Sequence, residues 1–234
     1  MSPRARIRYR EELDQLEARA LEGLEMVNET LTRTLEAYRQ GDEELAQRVI
    51  ADDDRIDGRY LEVHQSILAL LATQAPVAVD LRLIAALLDV IKHVERMGDQ
   101  CVNIAKLIPT VGGDGPEAGR GIAERIVRMG EQVHAQISQA RHAFAGRDVE
   151  MARDLVLQDD LIDDLNRECF ALALDLGGDF ETREWAMASI LVARALERMG
   201  DYTVDIGEQI AFVVTGLFQE FEDASHPLEP GGNG

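Results

Sequence analysis

The sequence predicts an all-α protein: two tandem, pseudo-symmetric three-helix bundles made of six long antiparallel helices. Three observations carry that reading. Aromatic residues are only 5% of the 234, and Ala, Leu, Glu and Arg dominate, a composition that leans helical. Apolar residues recur at alternating steps of three and four over long stretches, the stripe of a packed helix. The second half also repeats the first. ERMGDQCVNI at 95–104 returns as ERMGDYTVDI at 197–206, and Asp53-Asp54-Arg55-Ile56-Asp57 returns as Asp159-Asp160-Leu161-Ile162-Asp163.

The first helix covers Arg8 to Arg39, with Leu13, Leu16, Ala20, Leu24, Val27, Leu31, Leu35 and Tyr38 on its stripe. Gln40-Gly41-Asp42 ends it, and Asp42 can cap the next helix. The second runs to Thr73 through Val49, Ile56, Val63, Ile67 and Leu70, and Pro76 breaks it. The third starts near Ala78 and is expected to end before Pro109. Gly, Pro and Asp mark residues 109–119 as a loop. The fourth carries Ile122, Ile126, Met129, Val133, Ile137, Ala140 and Phe144, and stops at Gly146-Arg147-Asp148. The fifth spans Val149 to Leu176. Gly177-Gly178-Asp179 separates it from the sixth, which is expected to reach Phe221. The implied division is a first bundle at 1–110, a linker at 111–118, a second bundle at 119–221 and a mobile tail at 222–234.

Charge narrows the function. Acidic side chains number 44 against 24 basic ones, for a net charge of −20. Such a surface is repelled by phosphate backbones and anionic leaflets, so nucleic-acid binding and electrostatic membrane binding are not expected. Basic protein surfaces and cations are the natural partners. The most apolar stretch, Ile67 to Val79, is too short to span a bilayer and is interrupted by Gln74 and Pro76. The N-terminal residues carry no apolar secretory core, and Cys101 and Cys169 match no metal or redox spacing. Together these point to a soluble cytoplasmic protein with reduced core cysteines.

The chemistry concentrates in carboxylate ladders. Glu95 and Asp99 are spaced i, i+4 and lie on one helix face, with Asn103 extending the row. Glu197, Asp201 and Asp205 repeat it, with Glu208 nearby. Asp53 with Asp57, and Asp159 with Asp163, have the same spacing, and Asp53 and Asp159 interrupt apolar stripes. Like charges at that spacing destabilise a helix unless something offsets them. Two facing acidic pairs would hold a hard cation such as Mg²⁺, Mn²⁺, Ca²⁺ or oxidised iron. The competing explanation is a solvated acidic edge balanced by Arg55, Arg96 and Arg198. On the cation reading, Glu197/Asp201 and Asp159/Asp163 should sit on adjacent helices. Gly98 and Gly200 interrupt good helical patterns, for close packing, for room beside the carboxylates, or for both.

Other candidates carry less. Glu131 and His134 form a single Glu-x-x-His, whereas ferritin-like di-iron sites need two with two further Glu. His93, beside the ladder, reads as a rim residue, with an extra metal ligand as the alternative, and Trp185 and Tyr202 read as core aromatics. His64, His142 and His226 carry no pattern. No phosphate-binding loop, nucleophile elbow or dinucleotide fingerprint is present, so no enzymatic activity is expected.

The duplicated E-R-M-G-D segments, the upstream DDxID pairs and Gln74-Ala75-Pro76-Val77-Ala78-Val79-Asp80-Leu81-Arg82-Leu83-Ile84 together resemble the PhoU family of bacterial phosphate-uptake regulators, over about residues 10–215. The resemblance implies paired three-helix bundles, a cytoplasmic location and a homodimer. It implies a negative regulator of the phosphate-starvation response that links the ATPase subunit of the phosphate ABC transporter to a membrane sensor histidine kinase. It also implies metal ions, with magnesium, manganese, iron and zinc as candidates, on E/DxxxD motifs. These map to Glu95 with Asp99, Glu197 with Asp201, Asp53 with Asp57, and Asp159 with Asp163. Asn103 stands where the second half has Asp205, so equal occupancy of the two halves is not implied. The alternatives are a structural helical adaptor without metal and a ferritin-like metal-dependent enzyme.

Overall fold

A computed structural model describes residues 3–113 and 115–221, with side chains from Arg6 onward. Among them are seven α-helices: α1 (Pro3–Gln40), α2 (Glu43–Ala51), α3 (Asp54–Thr73), α4 (Ala78–Val111), α5 (Arg120–Gly146), α6 (Val149–Asp175) and α7 (Phe180–Thr215), with a 3-10 turn at Glu117–Gly119. The expected mobile tail, 222–234, lies outside the described residues.

The punctuation repeats between halves. Asp42 caps α2 by accepting the Leu45 amide at 2.9 Å, and Asp148 caps α6 by accepting that of Met151 at 3.0 Å. The residue just before each cap is left-handed: Gly41 with φ 63° in the first half, Arg147 with φ 54° in the second. An arginine pays for that backbone state where glycine does not. It is held by a two-pronged ion pair to Glu17 on α1, at 2.7 and 2.6 Å.

Four boundaries differ from expectation: α1 begins at Pro3 rather than Arg8, and three others have a physical cause. The expected second helix divides into α2 and α3 at Asp52 and Asp53. Three successive aspartates are poor helix formers, and Asp52 is drawn to Arg33 at 2.6 Å. The α4 helix passes through Pro109 and ends at Val111. Ile108 and Val111 are buried there, and burying two such side chains, about 1.5–3 kcal/mol each, offsets an interior-proline cost of about 3 kcal/mol. The α7 helix stops at Thr215 instead of Phe221 because Gly216, with φ 78°, forms a left-handed cap. Beyond it Phe218 stacks on Phe212 with ring centroids 3.9 Å apart, and the Phe221 amide donates to Glu208 at 2.7 Å.

Helices α1, α4, α5 and α7 form the centre. The α1 helix packs on α4 and α5, and α7 packs on the same two; α2 and α3 flank α1 and α4, while α6 flanks α5 and α7. Leu24, Leu31, Ile67, Leu87, Ile91, Ile104, Phe144 and Ile210 belong to one continuous apolar core. Trp185 is in it, and Gly115 and Gly119 of the connection lie so close to its indole that a side chain on either would collide with the ring. Cys101 and Cys169 are buried free thiols.

The α4–α7 contact places the site. His93 meets Asp205, and Arg96 lies over Tyr202. Three residues forward on α4 are three back on α7, so the helices run antiparallel. Arg82 beside Gly216 fits the same register. Continued inward, it brings Gly98 level with Gly200. The two E-R-M-G-D segments therefore cross at the pseudo-twofold axis that relates the halves.

Candidate metal centre

Each glycine at that crossing turns toward a flanking helix and makes room for a carboxylate. A Cβ on Gly98 would stand 3.1 Å from two carbons of Ile56 and 3.4 Å from Asp53 Oδ1. A Cβ on Gly200 would overlap Asp159 Oδ1 and stand 3.1 Å from Ile162 Cδ1. Both explanations offered for these glycines hold together: the helices pack closely, and what they admit is an aspartate.

In the first half Asp53, Asp57, Glu95 and Asp99 converge from α3 and α4. Burial, then repulsion from Asp57, Asp99 and Asp54, holds the Asp53 carboxyl above its ordinary range. Burial, then Asp99, Asp57 and Asp53, does the same to Glu95. The cluster is open: Asp57 and Asp99 are exposed, and Asp53 and Glu95 are half-buried.

The second half is closed. Asp159, Asp163 and Glu197 are 2%, 5% and 5% exposed, because α6 runs unbroken where the first half divides. Glu197 is pushed up to about 7, by burial first and then by Asp201, against the pull of Arg194, with Asp163 adding to the rise. Arg194 donates to Glu197 Oε1, while Oε2 is buried without a hydrogen-bond partner. Asp159 is approached by Gln136 Nε2 at 3.5 Å, and Asp163 by Arg167 at 3.6 Å.

The ladders do not run on as single rows. Each i, i+4 step turns about 40° around the helix, so Asn103 ends on the exposed surface and Asp205 turns toward α4. There Asp205 Oδ2 lies 3.6 Å from His93 Nε2. His93 is buried, not on the rim as expected; burial, then Arg96 and Lys92, lowers its pKa to about 4, so it lends Asp205 no charge at neutral pH. Tyr202, expected in the core, is half-buried at the same place, 5.4 Å from the His93 ring. Neither position carries a periodicity signal, because the α4–α7 register depends on tertiary packing. Glu131 is an exposed ion-pair partner of Arg39 at 2.5 Å.

The donor chemistry suits a hard cation: crowded carboxylates, two held above their ordinary range, one pushed up to about 7, and one buried oxygen without a partner. As the side chains stand, no three His, Cys, Asp or Glu groups among the described residues converge tightly enough to hold an ion. Coordination therefore requires side-chain rotation.

Fold and clusters define the class: a duplicated helical bundle with matching acidic sites flanking its pseudo-twofold axis. Residues 20–108 and 126–210 match the PhoU domain, and the chain belongs to the PhoU family. A Clostridium acetobutylicum protein named phosphate-specific transport system accessory protein PhoU homolog is 29% identical over 217 residues, spanning 92% of this chain and 98% of its own. The Mycobacterium leprae homolog 1 is 30% identical over 223 residues, spanning 92% and 96%. The crystal structure of the phosphate transport system regulatory protein PhoU from Streptococcus pneumoniae superimposes with a TM-score of 0.80 at 25% identity, covering 90% of this chain and 99% of that one. PhoU from Pseudomonas aeruginosa gives 0.80 at 26% identity, covering 89% and 100%. No described helix is long and apolar enough to cross a membrane.

Proposed function

We propose that this chain is a non-catalytic negative regulator of phosphate uptake and of the phosphate-starvation response. It works in the cytoplasm as a homodimer, by protein contacts that couple the ATPase subunit of the phosphate ABC transporter to a membrane sensor histidine kinase. The observation that carries this reading is the match of both halves to a family whose curated relatives are named accessory proteins of phosphate-specific transport. The net charge of −20 suits docking on basic partner surfaces.

Within this reading the carboxylate clusters hold metal ions. Asp53, Asp57, Glu95 and Asp99 would hold one set, and Asp159, Asp163, Glu197 and Asp201 the other; Asn103 and Asp205 lie at the outer ends of the rows. A metal cation, with magnesium, manganese, iron and zinc as the candidates, would neutralise the repulsion and tie α3 to α4 and α6 to α7. The support is the buried Oε2 of Glu197 and the raised carboxylate pKa values.

The test is alkaline phosphatase activity in a phosphate-rich strain lacking its own PhoU and carrying this gene or an empty vector. The expected result is repression by the gene and its loss in an Asp99→Asn, Asp201→Asn double variant. Absence of repression by soluble, expressed protein argues against the regulator and returns weight to the adaptor and enzyme readings. Repression that survives the double variant removes the metal from the mechanism.

A further inference from the structure

Gln136 of α5 is 0% exposed, on the buried face that also carries Val133, Ile137 and Ala140. The α5 helix packs on both α6 and α7. The Gln136 Nε2 turns to α6, 3.5 Å from Asp159 Oδ1 and 3.4 Å from the Leu155 carbonyl. Both distances are at the outer limit of hydrogen bonding. The Gln136 Oε1 is buried without a hydrogen-bond partner. That oxygen faces α7: a Cβ on Gly200 would stand 3.4 Å from it and would overlap Asp159 Oδ1. Gln136 and Asp159 therefore present two oxygens over the bare backbone of Gly200.

An amide oxygen buried without a partner carries a desolvation cost that a leucine of similar size would not. Packing alone does not account for a glutamine here. Duplication does not either. The correspondence that pairs Asp42 with Asp148, and Asp53 with Asp159, pairs Gln136 with Thr30. Thr30 turns its hydroxyl back onto its own helix and donates to the Met26 carbonyl at 2.9 Å. The glutamine belongs to the half whose carboxylates are buried. Asp159, Asp163 and Glu197 already bring three carboxylates into that space. Oxygen-seeking cations take about six ligands or more, and an amide carbonyl supplies one without adding charge.

We propose that Gln136 is a ligand of the closed cation site, its Oε1 binding the ion beside Asp159, so that the site joins α5, α6 and α7. The inference rests on the cation reading of the cluster and extends it to a helix outside the four acidic motifs.

The test is calorimetric titration with manganese of the full chain carrying Asp57→Asn and Asp99→Asn, which disable the open cluster, with melting curves in manganese and in EDTA. Adding Gln136→Leu to this parent weakens manganese binding roughly tenfold or more, the scale of losing a group that supports a metal site. It also shrinks the rise in melting temperature that manganese gives. In EDTA the same variant melts no lower than the parent, because the unpaired amide is gone; a merely structural glutamine would lower both curves equally. Gln136→Glu, which keeps an oxygen at the position, binds manganese at least as tightly as the parent. Full affinity in Gln136→Leu, or a Gln136→Glu variant as weak as Gln136→Leu, overturns this assignment and leaves the cluster reading standing. A parent that binds no manganese overturns both.

Discussion

At the scale of single residues, Glu197 and the glycine pair show how packing and charge are set against each other in the acidic clusters. Glu197 carries a strong conflict between burial and charge. Its folded pKa, about 7, stands above its ordinary 4.5, so between those values the folded chain holds a proton that the unfolded chain releases. Its stabilising contribution is complete below about 4.5 and is lost as pH rises through about 7. In metal-free protein, the melting temperature of the wild type therefore falls relative to Glu197→Gln across that window. Parallel pH profiles would contradict this. The glycines differ in a measurable way. Gly200→Ala drives a methyl into Asp159 in a buried layer, where overpacking costs about 1–3 kcal/mol, more than the gain of about 1 kcal/mol in helix propensity. Gly98→Ala meets Ile56 at 3.1 Å and a half-buried Asp53 that can swing outward, so its net cost is within about 1 kcal/mol of zero. Urea denaturation of the two variants checks the order, and a larger loss for Gly98→Ala would refute this packing explanation.

At the scale of elements, the helices were legible because long stripes of Leu, Ile and Val leave little choice of period. Val49, Ile67, Val133 and Ile162 are all buried where the stripe puts them. Legibility failed at ends. The signal for the end of α7 was present in Gly216, a left-handed cap, but the apolar Leu217, Phe218 and Phe221 beyond it extended the apparent helix. Pro109 signalled a stop that the burial of Ile108 and Val111 overrides. The break at Asp52 and Asp53 shows only as a run of aspartates, yet it makes the first acidic cluster open and the second closed. For the site, the i, i+4 spacing paired Glu95 with Asp99 and Glu197 with Asp201 on one helix each, but it also carried the rows on to Asn103 and Asp205, which turn away from them. The His93–Asp205 contact joins residues more than a hundred apart in sequence, and no local pattern encodes it. A direct check at this scale is the cap of α6. Asp148→Ala removes the bond to the Met151 amide and should cost about 1 kcal/mol without changing helix content in the native state. A neutral effect would mean that α6 is held by packing alone.

At the scale of the whole molecule, duplication places two acidic clusters on either side of one antiparallel helix crossing, and divergence then separates their properties. The first is open and repelling; the second is buried and holds Glu197 up at about 7. A cation taken up by the closed cluster would stiffen α6 against α7, while one on the open cluster stays in exchange with solvent. Asp201→Asn should therefore weaken manganese binding by roughly tenfold or more, the scale of removing one charged ligand from a partly buried site, and Asp57→Asn by less. Equal effects would argue that the two halves are energetically alike. Both clusters are read as cation sites, and the most direct measurement is an anomalous difference map from crystals of the chain grown with manganese. Peaks bounded by Glu95 and Asp99 with Asp53 or Asp57, and by Glu197 and Asp201 with Asp159 or Asp163, are the predicted result. A map featureless at both clusters, from crystals that diffract well and were grown in excess manganese, would contradict it.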